Sequence, residues 1–229
     1  MLYTPKKVPL NWYRYDSRFS LELLKEYIGD VEQQVNATIE SFRKEKETRV
    51  LEDVSAEGFS RAVEMYRGLD DETWDLKEIF EELFPNLQRR GALITLYSFL
   101  ENKLDELCEL FIQVEKIKIS LNDLRGAGVD RSVLFLTRIM GLQIDQSTTV
   151  WQEIKNIQKV RNLIVHNDAK LIDRSGNQIA DVTKYVTTSP YLSGNDEIEI
   201  LDGYLPHILE TFDLQFQDID KLIAARGGT

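Results

Sequence analysis

Thr148-Thr149-Val150-Trp151-Gln152-Glu153-Ile154-Lys155-Asn156-Ile157-Gln158-Lys159-Val160-Arg161-Asn162-Leu163-Ile164-Val165-His166-Asn167 carries apolar residues at helical spacing and ends beside one of only two histidines in the chain. At about 100° per residue, Val150, Ile154, Ile157, Val160, Ile164 and Val165 fall on one broad arc. Arg161 lies in the middle of that arc. His166 lies outside it, on a face shared with Lys155, Lys159 and Asn162. A guanidinium and an imidazole five positions apart on one helix can hold a phosphate and move a proton. A buried arginine paired to a carboxylate is the competing reading of Arg161, and a cation favouring the helix C-terminus is that of His166. For Lys155 and Lys159 the competing reading is an exposed polar face.

Working outward, the same periodicity predicts further helices. One runs from Ser17 or Ser20 toward Lys46, with Leu21, Leu24, Ile28, Val31, Val35, Ile39 and Phe42 spaced by three or four. Others are expected at Ala56–Arg67, at Glu72–Leu83 with Pro85 ending it, at Ala92–Lys116 and at Asp130–Met140. Ser147 is the expected cap of the helix quoted above. Residues 169–200 hold two turn signals, Arg174-Ser175-Gly176-Asn177 and Ser193-Gly194-Asn195-Asp196, with β-prone runs Tyr185–Thr188 and Glu197–Ile200. A small hairpin or irregular flap is expected there. Asp202–Arg226 closes the chain as a final helix, and His207 reads as a packing residue near its start. The sum is an all-α antiparallel helical bundle with a small β-hairpin or irregular insertion after the motif helix. Residues 1–16 form an N-terminal arm and 17–229 a single helical domain.

Composition narrows the function classes. The 229 residues are 42 % hydrophobic and 29 % charged, which suits a globular chain and not a disordered one. A net charge of −11 opposes a broad basic face for nucleic acid, so any such contact must be local. No apolar run approaches a membrane span, and Met1–Leu10 lacks the apolar segment of a signal peptide. Cys108, the only cysteine, sits in an apolar helical pattern and reads as an inert core thiol in a reducing, cytoplasmic setting. HExxH, paired CxxC and P-loop patterns are absent, and Gly126-Ala127-Gly128 reads as a helix connector. No cofactor or metal is expected.

Arg161-Asn162-Leu163-Ile164-Val165-His166, followed by Asn167, resembles the signature of the HEPN family of compact α-helical domains: arginine, a polar residue, a short spacer and histidine, late on a long helix. Leu93–Phe111, with Tyr97-Ser98-Phe99-Leu100-Glu101, resembles the helix that packs on the motif helix in that family. The resemblance spans roughly residues 70–225 in architecture and is specific only at the motif. It implies a metal-independent endoribonuclease of toxin–antitoxin or phage-defence type, a homodimer whose two motif helices line one cleft. His166 would then act on the ribose 2′-hydroxyl, Arg161 would stabilise the phosphate, and Asn162 would orient either. Lys155, Lys159 and Asn167 are candidate substrate contacts. A subgroup of the family has a tyrosine, modified by its antitoxin, two residues after the histidine. Here Asp168 occupies that place, so that mode of silencing is not expected, although another antitoxin protein remains open. The alternative is a non-catalytic HEPN-like module binding RNA, a nucleotide or a partner protein. A helical scaffold whose motif is coincidence is the third reading.

Overall fold

A computed structural model of the chain describes residues 12–52 and 60–227. The chain is mostly helical with small antiparallel β-elements, and it divides into two compact units, Ile28–Ala92 and the remainder. The unit boundaries fall inside two long helices, α1 (Arg18–Glu45) and α2 (Phe84–Glu115). Most of the expected N-terminal arm, residues 1–11, lies outside the described residues. Trp12 is helical, and a π-helical turn at Tyr13–Ser17 leads directly into α1.

In the Ile28–Ala92 unit, α1 gives way to three antiparallel strands in the order β1 (Glu47–Glu52), β2 (Ser60–Tyr66) and β3 (Leu69–Asp70). Glu47 pairs with Met65 and Glu52 with Ser60. This overturns the helix expected at Ala56–Arg67, of which residues 56–59 lie outside the described set. Along β2 the buried positions are Val63 and Tyr66, and Tyr66 joins a cluster with Phe42, Leu76 and Phe80. Three of its rings meet at centroid distances of 4.7–5.4 Å. The turn settles the register: Arg67 and Gly68 both have positive φ (49° and 83°), the geometry of a tight two-residue hairpin. Short amphipathic runs are ambiguous between helix and strand, and pairing with β1 decided this one.

Pro85 does not end a helix here. A π-helical turn at Glu78–Leu83 runs into α2, and the Phe84 N–H donates to Ile79 O, five residues back. Widening the turn just before the ring relieves the clash that proline makes with the carbonyl four residues earlier.

The other unit holds the remaining helices: α3 (Gly128–Leu134), α4 (Thr149–Asn167), α5 (Ala180–Thr188) and α6 (Tyr204–Gly227). A π-helical turn, Phe135–Ile139, extends α3. The core is made of Leu96, Leu100, Leu104 and Phe111 on α2, Trp151, Ile154, Ile157 and Val160 on α4, and Phe212, Phe216 and Ile219 on α6, all essentially inaccessible. Trp12 packs edge-on to Phe216, and the Tyr13 hydroxyl donates to Asp213 at 2.7 Å, which ties the helical turn before α1 to α6.

The segment after α4 is only partly the hairpin expected. Leu192–Ser193 (β4) and Glu199–Ile200 (β5) pair antiparallel, but Tyr185–Thr188 belongs to α5. Val182 and Val186 are buried one turn apart on that helix, and the hydroxyls of Thr183, Thr187 and Thr188 donate back to carbonyls three or four residues earlier. Burial of one face outweighs the β-preference of its valines and threonines, the threonine hydroxyls being accommodated by these bonds. Among the described residues no helix is long and apolar enough to cross a membrane.

Candidate functional site

α4 is capped by Thr148, not Ser147: the Thr148 hydroxyl accepts from the Trp151 N–H at 3.2 Å. Ser147 instead donates to Asp145 in the preceding turn. At the other end Asp168 takes a left-handed conformation (φ 52°) and its N–H returns to Leu163 O. The cap fixes where the helix stops, two residues beyond His166.

Arg161 emerges from the apolar face of α4 against α2. Its guanidinium lies 5.3 Å from the centre of the Tyr97 ring, donates to Asn162 Oδ1 at 2.9 Å, and reaches Glu101 Oε2 at 3.5 Å. That last distance is long for a charge-assisted bond. Arg161 Nε is buried with no hydrogen-bond partner, as is the Tyr97 hydroxyl. The expectation of an arginine on the buried face is therefore met by a cation held in place yet incompletely satisfied. Burial raises the Glu101 carboxyl above its ordinary value, with Arg161 opposing and Asp105 adding to the rise. Burial likewise raises the Tyr97 hydroxyl, with Glu101 contributing.

Gly128 seats Glu101. Its φ of +53° is left-handed, and a Cβ there would fall 2.1 Å from Glu101 Oε1. The stretch that read as a mere connector lets α3 start directly against the carboxylate facing Arg161.

His166 is exposed, and its imidazole makes no hydrogen bond or ion pair among the described residues. Asn162 lies one helical turn before it, so their side chains leave the same face, roughly 5–6 Å apart at Cβ. Arg161 and Asn162 are thus in direct contact, while His166 is linked to them through helix geometry alone. The other candidates have different engagements. Lys155 pairs with Asp130 and lies over Trp151; Lys159 reaches Asp181 at 3.5 Å with both side chains exposed. Asn167 donates to the carbonyls of Lys170 and Ile172 at 2.7 and 2.9 Å and so pins the chain leaving α4.

A second polar cluster, which the sequence did not reveal, occupies the first turns of α4. Glu153 Oε1 is 2.8 Å from His207 Nε2 and accepts from the Tyr185 hydroxyl, which also lies 3.4 Å from the Tyr204 hydroxyl. Burial alone would raise the Glu153 carboxyl, but the bonds to His207 and Tyr185 reverse this and hold it below its ordinary value. Burial pushes the hydroxyls of Tyr185 and Tyr204 up. His207, read from sequence as a packing residue, does stack on Tyr191 (centroids 4.9 Å apart, planes at 29°) but also carries this hydrogen bond. Glu153 and His207 are separated by 54 positions, and no local pattern links them.

Cys108 is buried, its thiol pushed up to about 12 by burial, and its Sγ contacts Ser132 O. It is poorly suited to nucleophilic chemistry. Among the described residues no group of His, Cys, Asp and Glu is arranged to hold a metal ion. No family model, curated protein or solved structure matches the chain.

Proposed function

We propose that the chain is a cytoplasmic, HEPN-type, metal-independent endoribonuclease that works as a homodimer in a toxin–antitoxin or phage-defence setting. The observation that carries this reading is the contrast along the last turns of α4. Arg161 is held half-buried by Tyr97, Asn162 and a distant Glu101, with its Nε unpartnered, while His166 projects unpartnered into solvent. A cation that its own fold neutralises weakly suits an anion delivered from outside. An imidazole with no internal partner suits proton transfer.

In this reading RNA brings its own nucleophile. His166 takes the proton from the 2′-hydroxyl as the 2′-oxygen attacks the adjacent phosphorus. Arg161 stabilises the charge that builds on the non-bridging oxygens, and Asn162 holds the guanidinium toward them. The bond to the 5′-oxygen breaks, and that oxygen leaves with a proton from an imidazolium, supplied by the same histidine or by the partner protomer's copy. The products are a 2′,3′-cyclic phosphate and a 5′-hydroxyl. Lys159 extends the positive face, Lys155 is engaged by Asp130 and contributes little to it, and Asn167 acts through the backbone it fixes.

A net charge of −11 and the Glu101 carboxylate opposite Arg161 favour the second reading, a non-catalytic helical module that binds RNA, a nucleotide or a partner protein. Incubating the chain with total RNA in excess chelator separates the two. Cleavage that leaves cyclic phosphates and 5′-hydroxyls supports the nuclease, and RNA retention without cleavage supports the module. Light scattering at micromolar concentration tests the dimer; a strict monomer removes the two-protomer cleft.

A further inference from the structure

Glu153, Asn156, Tyr185, Ser189, Tyr191 and His207 line an open cleft of about 420 Å³, within the range of small-molecule sites. We infer that this cleft binds a nucleobase carrying an exocyclic amino group, presented either by a free nucleoside or by an unpaired nucleotide of RNA. Three features select that chemistry. The first is shape and stacking: Tyr191 lies on His207, with Tyr204 tilted behind them at 6.3–6.4 Å, so a flat ring entering the cleft extends an existing tier of aromatic faces.

The second is charge. None of the described residues lining the cleft is lysine or arginine, and Glu153 is an anion there, so the cleft favours the uncharged base end of a nucleotide over a free phosphate. The third is the polar edge. Glu153 Oε1 is occupied by His207 and Tyr185, which lock the carboxylate in position. Oε2 receives only Asn156 Nδ2 at 3.5 Å, the outer limit of a hydrogen bond, so it retains capacity to accept. A fixed ionised carboxylate beside a carboxamide accepts from an amino group and offers the partner a donor and an acceptor. Adenine, cytosine and guanine present an amino group on their pairing edge. Uracil flanks its lone N–H with two carbonyl oxygens, which a carboxylate repels.

The cleft does not depend on the proposed cleavage. It lies on the same helix, and the eight positions from Glu153 to Arg161 advance about 12 Å along α4, so one short strand spans both places.

Calorimetry on the full chain with adenosine, cytidine, guanosine and uridine tests the free ligand. Oligomers of 2′-deoxyadenosine and 2′-deoxyuridine, which lack the nucleophile and cannot be cut by this chemistry, test the strand. The expected result is at least a tenfold preference for amino-bearing bases, lost in Glu153→Gln and weakened several-fold in Asn156→Ala. Asn156 makes only the one weak side-chain bond to Glu153, so its variant keeps the test valid if Glu153→Gln fails to fold. Preference among free nucleosides supports the site and assigns it to a free ligand; preference only among oligomers supports it and assigns it to a strand. Equal affinity for adenosine and uridine, no binding in either arm, or binding unchanged by Asn156→Ala overturns the inference. Because no arm reads cleavage, either result leaves the Arg161–His166 reading to stand or fall separately.

Discussion

The chain's two histidines are served by the same helix and kept in opposite company. His166, near the C-terminal end of α4, is exposed and has no partner among the described residues. His207, on α6, is clamped between Tyr191 and the Glu153 carboxylate near the start of α4. One imidazole stands open to solvent. The other holds a half-buried carboxylate ionised and is held by it in return. The carboxylates facing the two regions differ in the same sense. Glu153 is stabilised as an anion by its donors, whereas Glu101, opposite Arg161, is destabilised as one by burial. Buried polar groups are ordinarily partnered, so a cation that its own fold leaves incompletely satisfied gains from an anion delivered from outside.

The sharpest way to break this contrast is kinetic. His166→Ala is expected to lower chelator-resistant RNA cleavage by roughly 10²–10⁴-fold, the usual worth of a positioned proton-transfer group. Arg161→Ala is expected to lower it by about 10²–10³-fold, as loss of a charge-stabilising donor does. The His166 variant should unfold within about 0.5 kcal/mol of the parent, because the side chain is exposed and bonded to nothing. Equal cleavage by parent and His166→Ala would end the catalytic reading.

The same truncation at the other histidine should read out in stability. His207→Ala leaves the half-buried Glu153 short of one of its two firm donors and removes the ring under Tyr191. Its expected cost is about 1–3 kcal/mol in denaturant unfolding, the penalty for stranding a buried polar group. A cost as small as that of His166→Ala would show that the clamp contributes nothing.

Acid titration separates the two carboxylates. Glu153 lies below its ordinary value of 4.5 in the folded chain, so its contribution is present above the unfolded value and lost as pH falls through the folded one. Glu101 lies above 4.5 when folded, so its contribution is complete below the unfolded value and fades as pH rises through the raised one. Unfolding midpoints from pH 3 to 7 should show Glu153→Gln flattening the acid-side loss. Glu101→Gln should instead flatten the decline above pH 4.5. Identical profiles for the two variants would contradict the assigned directions.

Much of the architecture was legible because it follows the 3.6-residue period. The bodies of α2, α4 and α6 are written in Leu96, Leu100 and Leu104, in Ile154, Ile157 and Val160, and in Phe212, Phe216 and Ile219, which are indeed core. What failed was decided at a distance or by local repair. Ser60–Tyr66 is a strand because β1 pairs with it; Pro85 lies in a continuous helix because a π-turn precedes it; Tyr185–Thr188 is helical because one face is buried. At the site, Arg161, Asn162 and His166 could be named because one helix carries them all. The placement of Glu101 against Gly128, and the pairing of Glu153 with His207, join residues 27 and 54 positions apart, a range over which sequence periodicity carries no information.

The smallest expected effect tests how far the open region extends along α4. Lys159 reaches Asp181 at 3.5 Å, with side chains 44 % and 82 % exposed, so this ion pair contributes little and Lys159→Ala should change stability by less than about 0.5 kcal/mol. If the lysine contacts a phosphate of bound RNA, its removal takes one released counterion with it. The slope of log affinity against log salt should then become shallower by about 0.7 for a single strand. Lys155 is the internal control: it is engaged by Asp130 and Gln158 and lies over Trp151, so its ammonium is already compensated and its removal should leave the slope nearly unchanged. Equal changes for the two lysines would mean that the positive face reaches beyond the unsatisfied end of the helix, and that the division between the two halves of α4 is less sharp than their hydrogen bonds suggest.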